Sequence, residues 1–400
     1  MAGPRVRGVS FPAMTPLDDA DDLGLGTLTA ATPAATVDPS IDAALWAVVF
    51  AGGIGSRFWP LSTPARPKPI LALLSERTLI EETVGRLQPL IPPERVLILT
   101  SRDIAPAIRS VTREIPDENV LVEPRPLGTA AALAWAATEL VRRAGPGALC
   151  CAVHADLAVA FPEVLRETVR RAAAASAREE ALVSIGIRPS RAEPAFGYVQ
   201  PGLPLDADRT LATGGVVTTT RYVEKPSVVD AEGHVAQGAL WHGGILVAPA
   251  RTVLRQLAEH TPEVAAGLDA LRGGDVEGFV ARVRATSLER GLLERTDRLL
   301  VTLGDFGWDD VGTWASLRRA RDLDDDGNGA IGDVRFVDAE SNVVHAGHGR
   351  VVVYGVSKLL VVTVDGLTFV TSLDRAADLN RLLDALPGSM RINPAGPSPA

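Results

Sequence analysis

Leu45-Trp-Ala-Val-Val-Phe50-Ala-Gly-Gly-Ile-Gly-Ser-Arg57 is the stretch on which the reading of this chain turns. The apolar run Leu45–Phe50 reads as a short buried strand. It breaks at once into Ala51, Gly52, Gly53, Gly55 and Ser56. Glycines there let backbone approach a ligand closely and turn amides toward it. Arg57 adds a forked phosphate donor, and Lys68 follows within Arg66-Pro67-Lys68-Pro69. A bare Gly-Gly-x-Gly can also be a ligand-free strand-to-loop turn, and the two cations weigh against that reading. A dinucleotide fingerprint fails because position 58 is Phe, and a Walker loop fails because Gly55 is followed by Ser56-Arg57 rather than Lys-Ser or Lys-Thr.

Downstream, strand-like and helix-like runs alternate. Val96–Thr100, Val120–Val122, Leu149–Val153 and Leu182–Ile187 read as strands, and Thr129–Arg143 and Phe161–Arg178 as helices. The alternation predicts an α/β domain on a mostly parallel sheet, with ligands at the carboxyl ends of the strands. Gly52, Glu123 and Asp156 each follow such a strand. Residues 251–300 read as mostly helical. Beyond Asp322, short β segments at Val334–Val337, Val343–Val344, Arg350–Tyr354, Leu359–Val364 and Leu367–Val370 predict a small β domain closed by a helix over Arg375–Leu386. The boundaries expected are an unstructured extension over 1–43, a catalytic domain over 44–325, a β domain over 326–388 and a loose tail over 389–400.

Of the 400 residues, 46% are hydrophobic and 22% charged, enough for a proper core. A net charge of -9 argues against nucleic acid or an anionic membrane as partner. The two cysteines, Cys150 and Cys151, are adjacent within an apolar run, which predicts buried thiols and not a disulfide scaffold. No signal-like or bilayer-spanning run is present, so the expected location is the cytoplasm. The Asp322-x-Asp324-x-Asp326-Gly327 run nearly matches a calcium loop, but its twelfth position is Asp333 and a strand follows, so it reads as an acidic turn.

Taken with its later motifs, the chain resembles the sugar-nucleotide pyrophosphorylases, and especially the mannose-1-phosphate guanylyltransferases. The motifs are Ala51–Ser62 with Arg66–Leu71, Glu123-Pro-Arg-Pro-Leu-Gly128-Thr129, His154-Ala-Asp156, Phe196-Gly197-Tyr198, Val223-Glu224-Lys225-Pro226, Trp241-His242-Gly-Gly244 and Trp308-Asp-Asp310-Val-Gly-Thr-Trp314. They cover about residues 45–385. The resemblance implies a Rossmann-like nucleotide-diphospho-sugar transferase fold with a C-terminal domain like a short left-handed β-helix, often used for subunit contact and so a route to a homo-oligomer. It implies transfer of GMP from GTP to mannose 1-phosphate with loss of pyrophosphate, assisted by Mg²⁺ on Asp156 and Asp310. Arg57, Lys68 and Lys225 become the catalytic cations. Ala51, Gly52, Gly53, Gly55, Ser56, Glu123, Gly128 and Thr129 become the nucleotide contacts. Gly197, Tyr198, Glu224, Lys225, His242 and Gly244 become the sugar-phosphate contacts. The chemistry suits these types, because two anions must meet and nothing on the protein need become covalent. The chain departs from the family pattern at Gly128, at Leu157, at His242 and at Glu289, where the family has Asn, His, Asn and usually Asp. The base and the sugar therefore stay open, as does a non-catalytic sugar-nucleotide-binding regulator.

Overall fold

A computed structural model describes residues 38–392, apart from Asp322 and Ala377. Its strands are β1 (Leu45–Phe50), β2 (Val96–Ser101), β3 (Val120–Glu123), β4 (Leu149–His154), β5 (Leu157–Val159), β6 (Leu182–Ile187), β7 (Gly197–Pro204), β8 (Val216–Glu224), β9 (Leu240–Pro249), β10 (Leu299–Leu303), β11 (Trp308–Asp310), β12 (Gly329–Val337), β13 (Val343–Tyr354), β14 (Leu359–Val364) and β15 (Leu367–Ser372). Nine of them form one sheet in the order β3-β2-β1-β4-β9-β6-β10-β8-β7.

The first four strands are parallel, in register Val48↔Leu97 and Val48↔Ala152. Strand β1 is the turning point, since β2 and β3 lie to one side of it and β4 to the other. That reversal opens a crevice at the strands' carboxyl ends. The other half departs from the mostly parallel expectation: β9 runs antiparallel to both β4 and β6, and β8 to both β10 and β7. Strand β9 escapes a sequence reading because the Gly-Gly within Leu-Trp-His-Gly-Gly-Ile looks like a loop signal, yet the strand is buried along nearly its whole length.

Helices cover both faces. Thr129–Ala144 packs a stripe of alanines and Leu133 and Leu140 onto one face, and Pro162–Glu179 covers the other. Helices over Ala250–His260, Pro262–Ala265, Leu268–Arg272 and Val276–Arg282, and a π-helical turn over Glu289–Leu293, match the helical reading of this region. Cys150 and Cys151 are free and buried.

Three boundaries move. The extension expected over 1–43 lies outside the described residues as far as residue 37, but Pro39–Ala44 is a helix capped by Asp38. Its Asp42 carboxylate takes the Arg170 guanidinium at 3.0 Å, which anchors the entry to β1. The closing helix expected over Arg375–Leu386 is two short ones, Leu373–Ala376 and Asn380–Ala385, with the Asp378 carboxylate accepting from the Asn380 amide. The start of the tail forms a further turn of helix over Gly388–Ile392.

The C-terminal domain is a four-stranded sheet, β12-β13-β14-β15, parallel for the first three strands and antiparallel for the last. Val343–Val344 and Arg350–Tyr354 are parts of one long strand, β13. Buried Asn328 and Asn342 stack at the strand entries. The Asn328 side-chain oxygen accepts from the Asn342 amide at 3.0 Å, and Asn342's own oxygen accepts from the Leu359 amide at 2.9 Å. Such a ladder satisfies the turn backbone inside the domain. This domain shares a core with the loop after β1: Phe58, Trp59, Leu71 and Leu73 pack with Trp314, Leu317, Val343, Leu360 and Val362.

Candidate active site

The crevice outside β1–β4 is a cleft of about 260 Å³ walled by Gly52, Gly53, Lys68, Glu123, Gly128, Thr129, His154 and Asp156, among others. The glycine turn shapes its near edge. Gly55 has φ +77°, and a Cβ there would lie 2.4 Å from Lys68 Cβ, so only glycine lets the two segments touch. The Lys68 amide donates to the Ile54 carbonyl at 2.9 Å, fixing that contact. Gly53 meets nothing within 4 Å and faces open space. Ser56 and Arg57 stand on a short 3-10 turn beside the cleft rather than in its wall, and both are exposed.

Gly128 caps the helix Thr129–Ala144 with φ 85° and ψ 166°, a region that essentially only glycine visits. A Cβ there would sit 2.2 Å from the Thr286 carbonyl oxygen. The absence of the family's Asn is thus a property of the backbone: Thr286 occupies the space a side chain would need. Thr129 is held in the same seam, its hydroxyl accepting from the Leu288 amide at 2.8 Å. Glu123, at the end of β3, has its carboxyl pushed up to about 7 by burial, so near neutrality it can donate as well as accept.

Asp156 and Asp310 are far apart in sequence but meet through the two-stranded ribbon β5–β11, in register Leu157↔Asp310. The Val311 amide donates to the Asp156 carbonyl at 3.2 Å. Lys68, 8% exposed, places its ammonium 2.5 Å from Asp156. Burial disfavours the Asp156 carboxylate, but Lys68 and His154 outweigh it and hold the group below the usual carboxylate range. Asp310 goes the other way, pushed up to about 6 by burial and then by the Asp156 charge. The Lys68 ammonium is thus paired with Asp156, and its weaker pull on Asp310 does not offset burial and the Asp156 charge.

The second half of the sheet brings a more buried group of side chains. His242 is 9% exposed, and its Nδ1 lies 2.8 Å from Ser184 Oγ. Burial pushes it down to about 4, so it is neutral near pH 7. Gly244, with φ +67°, brings β9 against His154, where a Cβ would lie 3.3 Å from the ring. Glu289 opens the π-helical turn, and the His154 and His242 rings outweigh its burial to hold it below the usual carboxylate range. π-Helical turns concentrate at functional sites. Glu224 has a 6%-exposed side chain, accepts from the Tyr222 hydroxyl at 3.0 Å and pairs with Lys225 at 2.7 Å. Lys225 takes φ 52°, a strained value for a side-chain-bearing residue, and its ammonium reaches solvent.

Two expected contacts have structural work instead. Tyr198 is buried, with its hydroxyl accepting from the Glu193 amide at 2.8 Å and its ring stacked on His234. Gly197 is there because a Cβ would strike the Tyr222 hydroxyl. Conversely, His154 lines the cleft, its ring 5.4 Å from that of Phe50, and it lies near enough to influence the ionisation of Asp156, His242, Glu289 and Asp310. Its signal in the sequence is its place two residues before Asp156 at the end of β4.

The family model described as nucleotidyl transferase matches residues 46–327. A mannose-1-phosphate guanylyltransferase of Sinorhizobium fredii is 29% identical over 84% of this chain and 67% of its own. The mannose-1-phosphate guanylyltransferase ManC of Salmonella typhimurium is 31% identical over 86% of this chain and 73% of its own. Among solved structures, a chain from Thermus thermophilus described as a mannose-1-phosphate geranyltransferase superposes with a TM-score of 0.77. It is 32% identical, and the match covers 85% of this chain and 98% of that one.

Proposed function

Because the chain belongs to the nucleotidyl transferase family, we propose that this nucleotidyltransferase moves GMP from GTP to mannose 1-phosphate, forming GDP-mannose and pyrophosphate. The observation that carries the reading is the acid pair Asp156–Asp310, joined by a ribbon at the mouth of a glycine-edged cleft and served by one ammonium. The names of the relatives support the sugar and the base.

A phosphate oxygen of the sugar 1-phosphate attacks the α-phosphorus of the triphosphate, and pyrophosphate leaves. Catalysis of this kind is positioning and charge neutralisation. The amides of Gly52 and Gly53 and the cations Arg57 and Lys68 would hold the triphosphate. Glu123 and the Thr129 seam bound the far end of the cleft, where the base would lie. Lys225 would hold the sugar phosphate, and Glu224, His242 and Glu289 would meet sugar hydroxyls as acceptors.

Mg²⁺ fits the acid pair. Asp310 is raised toward neutrality beside the Asp156 charge, and both donors are hard oxygens. Among the described residues no cluster of three or more metal-type side chains occurs, and Mg²⁺ commonly takes one or two carboxylates and completes its shell with phosphate and water. When bound there, it would supply neutralisation of the triphosphate's developing negative charge.

A second reading keeps the reaction and changes a substrate. It is favoured by Gly128, where no side-chain amide can reach the base, and by His242, which puts an imidazole in the sugar region. The location that suits either reading is the cytoplasm, where soluble nucleotides are at hand; among the described residues no helix is long and apolar enough to cross a membrane. The test is pyrophosphate release from each NTP paired with a panel of sugar 1-phosphates in Mg²⁺. Release with GTP and mannose 1-phosphate alone is expected. Release with another pair selects the second reading, and binding of a sugar nucleotide without turnover makes the chain a regulator.

A further inference from the structure

The main chain that carries Asp156 is gripped from behind by the helix Leu79–Leu87. Thr83 and Arg86 lie three positions apart on one face of it. The Thr83 hydroxyl donates to the Ala155 carbonyl at 3.2 Å, and Arg86 Nη1 donates to the Leu157 carbonyl at 2.6 Å. The carbonyl between them, that of Asp156, accepts from the Val311 amide at 3.2 Å. Three successive carbonyls are thus fixed, two by side chains of this helix and one by the residue after Asp310. The same helix is tied to the Lys68 turn, since the Leu79 amide donates to the Leu71 carbonyl at 3.0 Å. Its far end is docked by Arg166, whose Nη1 donates to the Arg86 carbonyl at 2.9 Å.

Thr83 is fully buried and Arg86 is 7% exposed. The guanidinium stands among Leu87, Leu157, Leu165 and Val169, and burial pushes it down to about 10 although Glu82 pulls the other way. A cation is a costly means of satisfying one carbonyl in apolar surroundings. Its charge is not what sets the ionisation of the acid pair. Beyond burial, Lys68 and His154 act on Asp156, and Asp156 and Lys68 lead at Asp310. What Arg86 supplies is reach and geometry, delivered through the backbone. Strands β5 and β11 have three residues each, and a two-stranded ribbon so short is marginal without outside support.

We propose that Arg86 and Thr83 are positioning residues for the divalent cation: by clamping the carbonyls on both sides of Asp156 they hold its carboxylate, and through the ribbon that of Asp310, at a fixed separation. The inference rests on the metal reading of the acid pair. Neither side chain would touch the ion.

Mn²⁺ serves as the probe, its free concentration followed by electron paramagnetic resonance as the full chain is titrated without substrates. Wild type is expected to hold one Mn²⁺ that Asp156→Asn loses. Arg86→Met should bind that ion about ten- to a hundredfold more weakly, as is usual when a group supporting a metal ligand is removed. The direction is diagnostic, because on Coulomb grounds alone the loss of a nearby cation would tighten a divalent ion. Thr83→Val changes no charge, should weaken binding at least about threefold, and carries the test if Arg86→Met does not fold. Arg95→Met controls for lost stability: Arg95 grips the Asp42 and Ala43 carbonyls at the other end of β1, so its melting temperature should fall while its Mn²⁺ affinity stays. Equal affinity in wild type, Arg86→Met and Thr83→Val overturns the proposal, as does tighter binding in Arg86→Met or an equal loss in Arg95→Met. A wild type that binds no Mn²⁺, or whose binding survives Asp156→Asn, overturns the metal reading itself and the proposal with it.

Discussion

Placing a side chain at Gly128 should damage the fold, even though Asn is what the family carries there. The glycine sits at φ 85° and ψ 166°, so any other residue suffers backbone strain of about 1–3 kcal/mol. Its Cβ would lie 2.2 Å from Thr286 O and 2.8 Å from Thr286 C, which are backbone atoms that no rotamer change can move aside. The Thr286 segment must shift. It is held by the Thr286 amide to the Leu127 carbonyl at 3.1 Å and by the Leu288 amide to Thr129 Oγ1 at 2.8 Å. Losing those two bonds adds about 1–3 kcal/mol. Gly128→Ala and Gly128→Asn should therefore each cost about 2–6 kcal/mol, the sum of strain and lost bonds, read by urea unfolding followed through tryptophan fluorescence. Gly53→Ala is the internal control: its Cβ meets nothing, and its cost should stay within about 0.5 kcal/mol. A loss below about 1 kcal/mol in Gly128→Asn, or a loss equal to that of Gly53→Ala, would refute the reasoning. It would mean that the seam yields and that an amide could serve the base after all.

Asp310→Asn should separate stability from activity. Its folded carboxyl, at about 6, lies above the unfolded value, so wild-type stability without metal falls as pH rises from about 4 through 6. The substitution should remove up to about 3 kcal/mol of that penalty at about pH 7.5 while turnover drops by at least about a hundredfold; unchanged turnover would release Asp310 from the metal role. Lys68→Met leaves Asp156 without its ammonium and should cost about 1.5–3 kcal/mol by chemical denaturation, the worth of one charged hydrogen bond, with near-zero loss contradicting the pair. His242, pushed down to about 4, favours the folded state only while neutral, so wild type should lose stability as pH falls from about 6.5 to 4. His242→Asn should flatten that slope, measured as melting temperature against pH, and an unaltered profile would remove His242 as its source.

The parallel half of the sheet was legible because strands buried on both faces are unbroken apolar runs, and Leu45–Phe50, Val96–Ser101 and Leu149–His154 are such runs. The antiparallel half was not. Strands β7 and β8 carry polar or proline residues on exposed stretches, and β9 carries an internal Gly-Gly, so local pattern points to loops. In the site, residues just beyond strand ends were readable from topology, which is why Gly52, Glu123 and Asp156 all reach the cleft. Tyr198 misled because a motif says which residues occur together and not which way each faces; the pleat turns this one into the core. Gly128 misled in the opposite sense. A missing side chain looks like a lost contact until the backbone that fills its space, Thr286, is seen.

The short ribbon β5–β11 also bears on how the enzyme comes into being. A growing chain has its glycine turn, Lys68 and the whole parallel half of the crevice long before Asp310 is translated. Until that late strand zips onto Leu157–Val159, Asp156 is paired with Lys68, and the two neutralise each other. A half-made protein is thus electrostatically quiet at the candidate site. The last strand to join the site is the one that brings the second acid, so the pair of carboxylates proposed to hold Mg²⁺ exists only in a chain made past Asp310.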